Sequence, residues 1–293
     1  QRQRARLATA ARLLRQIDHP RAEEFEREAE DYRNAIVAAF RAKAARMPKW
    51  KDRSGKEHPI VPMALNADDS NGYGINHPFY LDTGPMFGVF AGVLPADDPL
   101  MRTAVAFLRE GPHVPDAVRD FSWEETPYLW KEMSNCEPCY SWNIFHTHQL
   151  GDRQRYLEGM YSLFTGAISR QTYITCETRN GITETVFSSP PAVYMARLAV
   201  IDDEIEPGSL HLLRLVPLAW VSAKEQTRFE NVPSEFGPVT LKWQLADDGQ
   251  TLRVEYVPRF RRPPKATLLH VPPVSGLSKI VINGKEHAAT VGQ

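Results

Sequence analysis

Three stretches of the chain hold the residue types best suited to chemistry. Tyr80-Leu-Asp-Thr83 closes a long run rich in Gly, Pro, Asn and Asp. A second runs from Trp123 to Asn143 and contains Glu124, Glu125, Glu132, Glu137, Trp130, Tyr140 and Trp142. A third is Gln171-Thr-Tyr-Ile-Thr-Cys-Glu-Thr-Arg179, followed by Asn-Gly-Ile-Thr-Glu184. Each sets carboxylates among rings and amides, a composition that suits carbohydrate. The C–H faces of a sugar stack on aromatic rings, and its hydroxyls pair with Asn, Asp, Glu, Arg and His. Hydrolysis of a glycosidic bond asks for two carboxyl groups flanking it, one of them with a raised pKa.

Glu137, Glu177 and Asp82 are the catalytic candidates. Glu137 stands between Cys136 and Pro138 at a predicted helix boundary, where a carboxyl points into a cavity more readily than from a helix face. Glu177 follows a β-branched apolar run, where burial raises a carboxyl pKa. Asp82 precedes Thr-Gly-Pro. Each has a plainer reading as well: Glu137 and Glu177 as partners of a helix dipole, Asp82 as a turn residue. Tyr80, Trp130, Tyr140, Trp142, Asn143, His146 and Arg179 are the candidate substrate ligands. Cys136-Glu-Pro-Cys139 is a lone CxxC with no second pair, a weak signal for metal or redox chemistry. His146-Thr-His148 places two imidazoles on different sides of a helix, which does not suit a shared ion. No metal and no cofactor is expected.

The elements that must position these residues fall into a helical part and a β part. Leu7, Ala10, Ala11, Leu14 and Ile17 recur at helical spacing up to His19-Pro20. Phe25, Ala29, Tyr32, Ile36 and Phe40 give a second stripe, and the short break between the two predicts an antiparallel helical hairpin. Pro48 to Pro85 has no sustained period and reads as a long, ordered site loop. Further helices are expected after Asp97 or Asp98, over Cys139–Gln149, after Asp152 and from Ser189. From about Val232 the period becomes two. Val239, Leu241, Trp243 and Leu245 alternate, Asp247-Asp248-Gly249 turns, and Leu252, Val254 and Tyr256 answer. Strands over Ala266–Val271 and Leu277–Ile282, the latter closing on Asn283-Gly284, complete an antiparallel β module. The division is expected at 1–225 for the helical part and 226–293 for the β module.

Composition excludes several classes. The 293 residues carry 35 Lys+Arg against 36 Asp+Glu, too even a balance for a nucleic-acid or anionic-membrane surface. Three cysteines are too few for a disulfide scaffold in a chain of this length. No run of about 18 apolar residues suggests a membrane span. Gln1 to Arg6 is polar and lacks the apolar stretch of a cleavable signal. Mature secreted, cytosolic and truncated chains all remain open on that ground.

Several motifs together resemble the six-hairpin glycosidase superfamily. They are Met133-Ser-Asn-Cys-Glu-Pro-Cys-Tyr140, Leu150-Gly-Asp-Arg153, Gln171-Thr-Tyr-Ile-Thr-Cys-Glu-Thr178, the stretch from Leu210 to Trp220, and Phe236-Gly-Pro-Val239. More narrowly, the chain is similar to the C-terminal part of large bacterial (α/α)6-toroid proteins. The resemblance implies a mainly α chain, a partial toroid of helical hairpins followed by an antiparallel β-sandwich. It implies a glycoside hydrolase acting on an oligo- or polysaccharide in a periplasmic or extracellular setting, with no nucleic-acid or membrane partner. By analogy of position Glu137 becomes the general acid and Asp82 or Glu177 the base of an inverting reaction. The first hairpins and an N-terminal domain are then expected outside this chain. Polysaccharide lyases share the toroid, and Tyr80, Tyr140, His146 and Arg179 would supply their base and carboxylate clamp. A non-catalytic glycan-binding module is the remaining alternative.

Overall fold

The computed structural model describes residues 2–51, 54–62, 65, 86–110, 142–167 and 189–289. Contacts divide the chain into two compact units, Gln1–Ser189 and Pro190–Gln293.

In the first unit α1 (Arg2–Gln16) and α2 (Ala22–Ala44) pack as the expected hairpin. Asp18 turns the chain with φ 52°, a conformation that Asp tolerates better than most residues, while the His19 amide donates to Leu14 O at 2.9 Å. Glu23 and Glu24 sit in the first turn of α2, where they suit the helix dipole. The buried face of α2 is Ala22, Ala29, Phe40 and Ala44, whereas Tyr32 is exposed. The far half of α2 is held by polar contacts. Arg33 Nε donates to Val93 O at 3.0 Å, and Arg41 Nη2 meets Asp98 Oδ2 at 2.5 Å. The stretch read as an unbroken loop contains an antiparallel hairpin of β1 (Lys49–Lys51) and β2 (Glu57–Pro59). Trp50 is buried there with its ring 5.2 Å from His58.

A short α3 (Phe87–Phe90) precedes α4 (Pro99–Glu110). Of the two aspartates that qualified as its cap, Asp98 does so: Oδ1 accepts the Leu100 amide at 2.9 Å, with Pro99 as the first helical residue. Met101 and Ala104 are fully enclosed. Next, α5 (Trp142–Leu150) and α6 (Arg153–Ala167) form a second packed pair. Gly151 ends α5 with φ 68°, and Asp152 Oδ1 caps α6 through the Arg155 amide at 3.1 Å. The helices approach so closely that a Cβ on Gly159 would lie 2.8 Å from Ile144 Cγ1.

The second unit opens with α7 (Ser189–Val200), whose buried face is Met195, Leu198, Ala199 and Val200 while Val193 is exposed. It runs directly into β3 (Ile201–Asp202). There follow β4 (Ser209–Leu212), a 3-10 turn at Leu218–Trp220, β5 (Thr227–Val232), β6 (Val239–Leu245), β7 (Thr251–Pro258), β8 (Ala266–Leu269), β9 (Lys279–Ile282) and β10 (Lys285–Ala288). One sheet has the order β10-β9-β7-β6-β5 and the other β3-β4-β8. The alternation in β6 is as expected: Val239, Leu241 and Trp243 are enclosed, and Leu252 and Val254 of β7 join them. Asp248 Oδ1 accepts the Gln250 and Thr251 amides in the β6–β7 turn. Asn283 and Gly284, with φ 48° and 83°, make the β9–β10 turn.

Two expectations are corrected. Neither sheet is purely antiparallel, because β4 pairs parallel with β8 and β7 parallel with β9. No tight turn links these pairs. The Pro-rich stretches after β7 and β8 carry the chain from one sheet to the other and back, and a strand that returns by such a crossover lies parallel to its neighbour. Nor is the chain a mainly α partial toroid with an appended sandwich. Among the described residues seven α-helices stand beside three sheets, and strands begin at β1, well inside the part expected to be helical. The fold is mixed α and β. The pattern misled because β4 is buried on every residue, so its short apolar run lacks the period-two signature of a strand.

Candidate functional site

Of the candidate residues, Tyr80, Asp82, Trp130, Glu137, Tyr140, Glu177 and Arg179 lie outside the described residues. Trp142 and Asn143 form the first turn of α5, their side chains likewise outside. His146, one turn further on, is fully described. It is completely buried, and its Nε2 lies 2.6 Å from Ala96 O. A carbonyl only accepts, so Nε2 carries the hydrogen and Nδ1 presents a lone pair. Nδ1 is enclosed and has no partner among the described residues. Burial above all, aided by the charges of Arg102 and Arg155 and opposed by the Ala96 carbonyl and Asp152, lowers the His146 pKa to about 4. At neutral pH this is an uncharged imidazole with one acceptor to offer, one helical turn from the end of the carboxylate-rich segment. His148, also buried, packs its ring 5.9 Å from that of Tyr156.

The densest polar cluster among the described residues is one that residue patterns did not single out. It forms where α7 passes into β3. Asp202 is fully enclosed; its Oδ1 accepts the amides of Glu204 at 3.1 Å and Ile205 at 3.2 Å, and its Oδ2 accepts Arg214 Nε at 2.8 Å. Beside it Asp203 Oδ1 accepts Arg197 Nη1 at 2.6 Å, and Oδ2 accepts the Glu235 amide at 2.6 Å. Glu204 accepts from the Tyr194 hydroxyl and from Arg197. Burial works against the Arg197 charge, but Asp203, Tyr194 and Glu204 outweigh it and hold the guanidinium above its ordinary pKa. Burial first, then the bond to Glu204, pushes the Tyr194 hydroxyl up.

Directly across the β3–β4 ladder from Asp202 is His211. Its Nδ1 is 2.9 Å from Nε2 of His270, and its Nε2 is 3.2 Å from Glu206 Oε2. The sequence signal for this cluster was a polar residue inside an apolar run, as in Leu210-His211-Leu212 and Leu268-Leu269-His270. Among the described residues no group of three or more His, Cys, Asp or Glu is arranged to hold a metal ion. An open groove of about 460 Å³ runs between α1 and α2, lined by Ala8, Ala11, Arg12, Arg15, Glu26 and Ala29 among others; no candidate residue lines it.

No protein-family model, curated protein or solved structure matches the chain. Function has to be read from residues and their placement.

Proposed function

We propose that the chain is a carbohydrate-active enzyme, a glycoside hydrolase that cleaves an oligo- or polysaccharide by carboxylate general acid/base catalysis. The observation that carries this reading is the clustering of carboxylates, amides and rings in three segments that each lead toward a helix start. The segment with Tyr80 and Asp82 leads to α3, that with Trp130, Glu137 and Tyr140 to α5, and that with Glu177 and Arg179 to α7. In the proposed reaction Glu137 protonates the leaving oxygen, and Asp82 or Glu177 activates the attacking water. Tyr80, Trp130, Tyr140, Trp142, Asn143 and Arg179 hold the sugars. The glycosidase-like motifs point to the same chemistry, although the toroid they implied is not the architecture of this chain.

Incubation with a panel of neutral and uronate-containing glycans, followed by mass analysis of the products, tests the reaction class. Hydrolysis adds one water per bond cleaved. Products that lack that water and carry an unsaturated uronate would instead assign elimination, and binding without any product would remove catalysis.

A further inference from the structure

Titratable groups outside the three segments, the buried His211 and the half-buried His270 among them, converge on one place in the second unit, where β4 and β8 run parallel. His211 lies on β4 and His270 directly follows β8. Their rings stack with centroids 5.1 Å apart and planes 20° from parallel, Nδ1 of His211 being 2.9 Å from Nε2 of His270. Nitrogens at that distance share a hydrogen, so one must donate while the other offers a lone pair. Glu206 sets the order. Its carboxylate accepts from His211 Nε2–H, which leaves His211 Nδ1 as an acceptor and makes His270 Nε2–H the donor. Both rings are then neutral.

One added proton leaves the contact intact, since an imidazolium still donates to a neutral imidazole. A second proton does not. It removes the only lone pair at the junction and sets two cations face to face. The charged groups around the pair come from every neighbouring element: Glu206 from the turn before β4, Asp202 from β3, and Arg214 from the stretch after β4. The Asp202 charge is offset by Arg214, and beyond it Arg197 meets two carboxylates, Asp203 and Glu204. Among the described residues Glu206, with most of its side chain in solvent, is the carboxylate that contacts the rings directly.

We infer that the His211–His270 pair is an acid-sensitive latch that ties β8 to β4 and is released when both rings are protonated. The pair sits at one end of the parallel ladder, where the His270 amide donates to Leu212 O at 2.9 Å; at the other end the Lys265 amide donates to Gly208 O at 2.7 Å. In agreement, burial first and then the charges of His211 and Arg214 hold His270 below the ordinary imidazole range, with Asp202 opposing. The sign follows. An opened strand binds a proton at His270 near the ordinary imidazole pKa of about 6.5, whereas in the latched form His270 resists it. Above about pH 6.5 the pair adds no pH dependence. Below it each pH unit favours the opened form by up to about tenfold, the limit for one excess proton.

Amide hydrogen exchange on the full chain at roughly pH 7.5 and 5.5, corrected for intrinsic rates, tests this. Amides of the β6–β7 ladder serve as the internal reference. Protection at Lys265 and His270 should fall at least several-fold more than the reference on acidification, and His270→Gln should abolish the difference. Imidazole NMR titration of the unaltered protein reads the same latch without a variant. The His270 ring should titrate below the ordinary range. Parallel loss of protection in both ladders, or a His270 ring that titrates as a free histidine does, would overturn the latch.

Discussion

Asp202 makes the strongest case for what a single side chain does in this fold. Its carboxylate is fully enclosed, ties down two amides at the exit of α7 and neutralises Arg214, itself only a tenth exposed. Asp202→Asn keeps an oxygen for the amides but removes the charge that faces the Arg214 guanidinium. Breaking a buried pair in this way costs about 3–5 kcal/mol, so chemical unfolding of the variant should show a loss in that range. A loss under about 1 kcal/mol would mean that solvent reaches Arg214 freely. Arg15 and Glu26, joined between α1 and α2, are the contrast. Both are largely exposed, and such a pair contributes little. Nothing in the local sequence separates these two ion pairs. His211 and His270 show the same difficulty: they lie 59 residues apart and meet only because β8 returns beside β4.

Among the elements, local signals were read well and pairings were not. The cap of α4 was narrowed to Asp97 or Asp98 from residue types alone, and Asp98 fills it while also receiving Arg41. Asp98→Ala should therefore cost about 1–2 kcal/mol in thermal or chemical unfolding, the range for loss of a helix cap, whereas Asp98→Asn, which keeps the capping oxygen, should cost less. Equal losses in the two variants would place the weight on the Arg41 contact instead. The Asp-Asp-Gly and Asn-Gly turns and the alternation in β6 and β7 were equally legible, because each is set by neighbours in sequence. The parallel pairs β4–β8 and β7–β9 were not, since register between distant strands leaves no periodic trace. β4, apolar on both faces around one histidine, looks the same whether it is strand or buried helix.

For the whole molecule, the resemblance carried by the motifs implied a mainly α partial toroid followed by a β-sandwich, and the chain is mixed α and β in two compact units. The error lay in carrying an architecture over from motifs that fix short local runs. The chemistry of the three segments does not depend on that architecture. The proposed reaction needs two carboxyl groups, with rings and amides to hold sugars, and the segments contain residues of each type. Among the candidates His146 is the one whose side chain is described; its Nε2 faces Ala96 O, and burial lowers its pKa to about 4. The central claim is that Glu137 is the general acid. The most direct measurement is turnover by Glu137→Gln beside the unaltered chain, on a glycan the latter hydrolyses, with circular dichroism to confirm equal folding. A fall of about 100-fold or more is the predicted result, the scale of a lost general acid. Turnover undiminished in the variant would contradict it.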